Sequence, residues 1–476
     1  MMKHTRSAGF LAAGLMLTWI APTPLTAQAT DTAPPAKLTV TSSSPEAKAE
    51  FWAGLHDFRL LFPTRSAQHL AKAIALDPDL GLARVLHAAV APDLTAAQQQ
   101  AEYDAGVAAA AKGTTGEALV ALAWRDLFLR RLTATALLRA ATEMFPGDGG
   151  LAADLTTASA VGQGPAAAAA TFRALLAKFP DEVEANNRVA YALWAAGDHA
   201  GALAAALAQV QGASQDPNPH DTYAELLSWN GQLDDAVQHY QHALNADSMF
   251  SEALAGIAEV RSLQGRGAEA RALYAQAIAR EPNPAARLNH QNSIAISYLY
   301  EGNRAQALSQ LGTVAHQAAA DSNAGFGAFA HREMAVVEGM FGNGKTVSMH
   351  LGEAHGGGAF GPNYFAALAY GGARQIDSAT AAADRASQAA APGNVGQQRA
   401  AHMLHGFVAL QNNAAQQAMD HLNQADTTTS IVQEMRAEAQ KRLGNRAQAQ
   451  ALRSAALATT VWSLQDALAR MRAKKM

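Results

Sequence analysis

Residues 218–246 read NPHDTYAELLSWNGQLDDAVQHYQHALNA, and this stretch decides the fold. Tyr223, Leu226 and Leu227 form one apolar stripe at helical spacing, and Ala236, Val237, Tyr240, Ala243 and Leu244 form a second. Between them Asn230-Gly231 stops the first helix, because glycine takes the left-handed cap conformation without steric penalty. Two short helices joined by so tight a turn cannot bury their apolar faces alone and must stack on others. The next stretch repeats the design, with Leu254, Ile257 and Ala258, then Gly265, then Ala270, Leu273, Tyr274, Ala277 and Ile278.

Working outward, Ala236 and Ala270 stand 34 residues apart, and the same step runs back through Ala202, Ala168 and Ala134. Pro78, Pro146, Pro180 and Pro282 lie 68, 34 and 102 residues apart, all multiples of that unit. Four positions after the alanine a large residue fills the gap (Leu138, Phe172, Tyr240, Tyr274), and proline then ends the second helix because it has no N–H to continue it. A fixed period of this size marks stacked helix pairs.

These columns resemble the tetratricopeptide repeat family, which alternates small and large apolar residues in this way and closes each unit with proline. The match is clearest over 115–310, before a three-residue insertion around Asn283–Arg287. The unit at 46–78 also fits, with Phe51, Trp52, Gly54, Leu55 and Ala73 before Pro78. Ser214 and Ser248 replace the proline, Lys112 stands in its place one unit after Pro78, and Ala206 replaces the aromatic. The resemblance implies an all-α, right-handed superhelical solenoid. At about 36 residues per unit it holds about twelve antiparallel helix pairs. Trp462, Leu464, Leu468 and Met471, with Lys474 and Lys475 near the end of their helix, then read as a C-terminal capping helix.

The chain divides on this reading into a signal peptide at 1–29, a flexible lead-in at 30–45, a regular solenoid at 46–320 and degenerate repeats with the cap at 321–474. Lys3 and Arg6 precede the apolar run Ala8–Ile20, and Ala27-Gln28-Ala29 is a small-x-small cleavage signature. The 13 apolar residues are too few to span a bilayer. A bacterial periplasmic or secreted protein is the expectation, with cutting after Ala29. Removing the signal takes Lys and Arg from 36 to 34 against 40 acids, a net charge of −6. That balance argues against nucleic acid, which needs clustered cations, and stable membrane insertion is not expected. The chain has no cysteine, so thiolate nucleophiles and cysteine metal sites are excluded. Gly352, Gly356, Gly357, Gly358 and Gly361 mark either a loop between units or a hinge.

Three patterns invite chemistry and are read more simply as structure. Gly339–Thr346 matches the phosphate-loop pattern, but the preceding residues read as the first helix of a repeat and no parallel sheet is evident. His239/His242 and His402/His405 sit three apart on a helix face, a spacing zinc can use, yet no third ligand is visible beside either pair. His350, Glu353 and His355 do not share a helical face. No catalytic residue, cofactor or metal is expected.

In repeats of this family the first helix of each pair lines the concave face. That register places Glu184, Asn187, Tyr191, Trp194, Asn218, Asp221, Glu225 and Trp229 there, followed by Glu252, Glu259, Asn289 and Asn292. Val189, Leu193, Tyr223, Leu227 and Ile257 already fill the packing positions, so Trp194 and Trp229 are either spare for a guest or packed against the adjacent helix. Asparagine can donate to and accept from a peptide bond, and tryptophan anchors many interfaces. The expectation is a non-enzymatic interaction scaffold in the bacterial envelope holding a protein or peptide partner in its groove. The alternatives are a periplasmic glycan-binding module, or an enzyme with a nucleotide or zinc site.

Overall fold

A computed structural model describes residues 37–60, 62–92, 94–354, 359–391 and 394–474. Among the described residues there are twenty-five helices and no strand. The first six pairs are α1 (Pro45–Arg59) and α2 (Pro63–Leu76), α3 (Gly81–Val90) and α4 (Ala96–Ala110), α5 (Thr115–Phe128) and α6 (Ala134–Met144), α7 (Gly149–Ala160) and α8 (Pro165–Lys178), α9 (Ala185–Ala195) and α10 (His199–Gly212), α11 (Pro217–Trp229) and α12 (Leu233–Ala246). Next come α13 (Ser251–Leu263) and α14 (Gly267–Arg280), α15 (Pro284–Tyr300) and α16 (Arg304–Ala320), α17 (Ala324–Met340) and α18 (Gly344–Glu353). The last three pairs are α19 (Phe360–Gly372) and α20 (Ile376–Ala389), α21 (Val395–Gln411) and α22 (Ala415–Leu422), α23 (Ser430–Arg442) and α24 (Arg446–Ala458), after which α25 (Leu464–Ala473) stands alone. The chain is an all-α solenoid.

The period is visible in the turns and the packing. Gly197, Gly231 and Gly265 each sit just past a first helix with φ between +77° and +84°, a conformation that suits glycine because it has no Cβ. Pro78, Pro146, Pro180 and Pro282 each follow the residue that caps a second helix. Ala134, Ala202, Ala236 and Ala270 are buried, as are Leu138, Phe172, Tyr240 and Tyr274. Ala168 departs from its column: it is half-buried, and Ala169 takes the packed position in α8. Glycine on a first helix makes room for the large residue of a second helix. A Cβ on Gly54 would lie 2.7 Å from Leu70 Cγ, and one on Gly256 would lie 2.2 Å from Tyr240 Cζ.

Odd-numbered helices also meet across layers, as α3 does α5, α11 does α13 and α17 does α19. Even-numbered helices pack chiefly on their odd-numbered neighbours. The layers therefore fan outward on the even side, and the odd helices line the inner wall.

Two parts of the chain depart from the expected plan. The expected signal peptide lies outside the described residues, as does the start of the lead-in, but 37–44 is laid down firmly instead of hanging free. Leu38 and Val40 are buried, the Leu38 N–H donates to Asp148 Oδ2 at 3.0 Å, and the Thr41 N–H donates to Glu117 Oε1 at 2.6 Å. Asp148 and Glu117 already cap α7 and α5, so their spare acceptor capacity holds the lead-in down. The second departure is α25, which does not simply close the end of the stack. It packs on α15, α17 and α23 as well as α24, because the inner side of that half is apolar and takes Leu464, Leu468 and Met471 into one cluster with Leu299, Met340 and Val432.

The glycine-rich stretch falls partly outside the described residues, and the apolar cluster runs past it from Ala295 to Met471. Just before it, α17 lies directly on α19, where a Cβ on Gly339 would stand 2.1 Å from the Ala369 carbonyl oxygen. Replacing Gly339 by alanine should therefore cost about 2 kcal/mol of stability through overpacking. The loss should appear as a lower urea midpoint by circular dichroism, and an unchanged midpoint would contradict so close an approach.

Candidate functional site

The inner wall of α9, α11 and α13 carries three aromatic rings that the core does not swallow. Tyr191, Trp194 and Trp229 are all half-buried. Trp229 lies 5.5 Å from Trp194 and 6.0 Å from Tyr191 between ring centroids, and Trp194 stacks on His199 at 4.0 Å. Helical register explains the row: Tyr191 and Trp194 are three apart on α9, and the 34-residue period sets Glu225 of α11 beside Tyr191. The Tyr191 hydroxyl donates to Glu225 Oε2 at 2.6 Å.

The other predicted wall residues divide into two groups. Asn187 and Asn218 are each only 7% exposed, so neither stands open in a groove. Asn187 Nδ2 donates to Thr222 Oγ1 at 2.9 Å and so ties α9 to α11. Glu184 accepts from Gln209 Nε2 at 2.8 Å. Asn218, Glu184 and Asn187 line a cavity of about 150 Å³ together with Arg59 and Asp154. Arg59 reaches that cavity from the far end of α1, because the loop after α1 closes onto the layer of α12 and α13. Phe62 meets Phe250 edge-on at 5.6 Å, and Arg65 Nη1 stands 3.5 Å from Asp247 Oδ2.

Asp221 and Glu225 keep contact with water along the wall but lie deep among protein atoms, and Glu259 of α13 joins them. Burial, then the Glu225 and Glu252 carboxylates, push the Asp221 carboxyl well above the usual carboxylate range. Burial, then Glu225 and Asp221, do the same to Glu259. Burial raises Glu225 too, against the pull of the Tyr191 hydroxyl. No basic side chain stands among the charges acting on Asp221 or Glu259. Farther along the wall, burial lifts Glu184 to about 7 and Asp154 to about 6, the latter against the attraction of Arg59. Each inner helix from α7 to α13, or its cap, thus presents a carboxyl with a raised pKa.

The C-terminal segment covers the adjoining layers. Residues 459–463 cross the inner wall in extended form between α24 and α25. Thr460 Oγ1 donates to the Trp229 carbonyl at 3.1 Å, and the Tyr300 hydroxyl donates to the Val461 carbonyl at 3.1 Å. Trp462 stacks on Tyr300 at 4.5 Å with the planes 8° apart, and it packs against the Ala255, Ala258 and Tyr274 cluster. The strap therefore runs over the wall from the end of α11 across α13 to α15, and the rings of Tyr191, Trp194 and Trp229 stay half-buried beside it.

The histidines hold an arrangement that spacing did not reveal. His220 Nδ1 faces His239 Nδ1 at 3.1 Å, His331 Nδ1 faces His350 Nδ1 at 3.3 Å, and His402 Nδ1 faces His421 Nδ1 at 3.4 Å. Each pair is 19 residues apart and joins the two helices of one hairpin. One ring must offer its lone pair to the other's N–H, so at least one of each pair is neutral. Burial favours this by lowering the pKa of all six, His239 to about 4. The third ring missing beside His239/His242 and His402/His405 in sequence comes from the other helix, as His220 and His421. Among the described residues, though, no three of His, Asp or Glu are arranged to hold a metal ion. His355 lies outside the described residues. At Gly339–Thr346 the chain ends α17, turns at Gly342 with φ +89° and begins α18, with no strand before it. Among the described residues no helix is long and apolar enough to cross a membrane.

No family model matches the chain, and no curated protein matches its sequence. Solved structures that share part of its helical arrangement include the yeast Tom70 crystal structure, at 11% identity and a TM-score of 0.43, covering 86% of this chain and 96% of that one. The APC/C hetero-tetramer Cut9–Hcn1 is 16% identical with a TM-score of 0.41, covering 85% of this chain and 75% of that one. MamA is 15% identical with a TM-score of 0.27 over 33% of this chain and 89% of that one. The chain's own hairpins, turns and buried columns form an α-solenoid of stacked helix pairs.

The raised Glu184 carboxyl has a consequence for stability. It holds its proton in the folded chain at a pH where the unfolded chain has released it. The stability it contributes is present below the ordinary carboxylate range and is lost as pH rises through about 7. His239 acts in the opposite sense as pH falls below its ordinary value, so the informative comparison is between chains that share it. The melting temperature of Glu184→Gln, measured from about pH 5.5 to about pH 8, should fall less steeply than that of the wild type, by a few degrees across the range. Parallel curves would contradict the assignment.

Proposed function

We propose that this chain is a non-enzymatic scaffold of the bacterial envelope that holds an extended peptide or protein partner along the inner wall of α9, α11 and α13. The row of Tyr191, Trp229 and Trp194 carries this reading. Trp229 lies against both Tyr191 and Trp194, and all three rings stay half-buried on consecutive layers above a core that other residues complete. Large rigid aromatics give much contact area at little loss of side-chain freedom, which makes them anchors for a guest. Polar groups beside them can fix its register, and a wall built of successive layers suits an elongated guest better than a compact one.

A pull-down from envelope extract tests the scaffold directly. Immobilised wild type should retain a protein band that Trp194→Ala/Trp229→Ala retains at least about tenfold less. Equal capture by both sinks the assignment of these rings, and loss of polysaccharide without loss of protein favours a sugar ligand.

The envelope location rests on Lys3, Arg6, the apolar run 8–20 and the Ala27-Gln28-Ala29 signature. Mass spectrometry of the protein recovered from a periplasmic fraction should find Thr30 as the first residue. Recovery of the chain with Met1 in the cytoplasmic fraction alone would contradict export.

A further inference from the structure

We propose that the cavity lined by Arg59, Asp154, Glu184 and Asn218 is a binding site for a small α-amino acid in its zwitterionic form. This goes beyond the scaffold reading and does not depend on it, since Tyr191, Trp194 and Trp229 do not line that cavity.

Two donors in the cavity have nothing to donate to. Arg59, the last residue of α1, carries its guanidinium into a space of about 150 Å³ bordered by α7, α9 and α11. It fits there because Gly150 has no side chain: a Cβ at that position would lie 1.7 Å from Arg59 Nη2. Among the described residues the guanidinium makes no hydrogen bond or ion pair. It also lies over the first turn of α7, the end of a helix that favours negative charge. Asn218 is 7% exposed, and its Nδ2 has no hydrogen-bond partner. A buried N–H left unpaired is costly. A guanidinium and an amide that both lack an acceptor suit a carboxylate, which takes several donors at once.

Acceptors share the same space. Glu184 Oε2 accepts from Gln209 Nε2 at 2.8 Å, while Glu184 Oε1 is buried without a partner. Asp154 Oδ2 accepts from the Trp124 indole N–H at 2.8 Å, which holds that carboxyl in place. Asp154, at about 6, is charged at neutral pH, and an approaching cation favours the charged form of Glu184, at about 7. An ammonium has three donors and no acceptor, so these oxygens match it.

The presence of both signs selects the ligand class. A simple anion meets the acids, a simple cation meets Arg59, and a zwitterion is drawn to both. Phe58, Phe172 and Ala153 supply the apolar part of the lining. A cavity of this size takes about six non-hydrogen atoms, as many as alanine contains. A wider cleft of about 520 Å³ shares Arg59, Glu182 and Glu184 with it and provides the entrance.

Isothermal titration of the purified chain with L-alanine tests the proposal. Wild type should bind it with a dissociation constant below about 1 mM. N-acetyl-L-alanine, which lacks the ammonium, and L-alaninamide, which lacks the carboxylate, should each bind at least about tenfold more weakly. Arg59→Gln should lose at least about tenfold in affinity for L-alanine, whereas Glu269→Gln, on the exposed face of α14, binds as wild type does. Ala153→Leu should abolish binding by filling the cavity with its own side chain, at unchanged helix content by circular dichroism, and it carries the test if Arg59→Gln does not fold. Absence of binding by wild type at about 10 mM L-alanine overturns the proposal, since water alone then satisfies the cavity. Wild-type affinity in Arg59→Gln or Ala153→Leu overturns it as well, and so does undiminished binding of the acetylated or amidated probe.

Discussion

The contact between one α-hairpin and the next is what the rest of this molecule depends on. A single pair of helices with a small face and a large face has nowhere to hide either. Stacking solves this when glycine or alanine on one helix receives a large side chain from another, as Gly256 receives Tyr240 and Gly371 receives Phe407. The same register places residues about 34 apart beside each other. Tyr191 meets Glu225 in this way, and Arg304 meets Glu338. Curvature, the inner wall and the alignment of its polar residues all follow from repeating that contact.

The architecture was legible because it is local. Helix stops at Gly231 and Gly265, the alanine and proline columns and the aromatic at Tyr240 and Tyr274 each act within one unit, so spacing alone exposes them. Insertion at Asn283–Arg287 was legible too, and it lengthens α15. What spacing could not expose are contacts made once, between distant layers. Nothing in the sequence around Thr460 announces a bond to Trp229, and nothing around Phe62 announces Phe250. Ala168 misled in a smaller way, since a run of alanines gives no means of telling which one packs.

The wall was half legible for a related reason. Register finds which residues point inward but not how deep they lie. Tyr191, Trp194 and Trp229 remain partly open, whereas Asn187 and Asn218 are buried and serve the layers or a cavity. Asp221, Glu225 and Glu259 were visible as inward-facing acids, yet the burial that raises their pKa values depends on how α11 and α13 pack together. His220 and His421 escaped notice because a hairpin's two helices meet at a separation of 19 residues, which no helical-face count includes.

A coil of stacked layers ordinarily stretches and twists through small rotations at every contact, as a spring does. This one is fastened at both ends to its own middle, by Phe62 against Phe250 and by Thr460 and Trp462 against Trp229 and Tyr300. Pulling on it must open those clasps before the layers can slide, so it resembles a closed bracelet more than a spring. Both clasps converge on α11 to α15, next to the aromatic rings of α9 and α11. Those rings therefore sit on a surface that contacts from both ends of the chain hold in shape, so little ordering would be left for any binding event to supply.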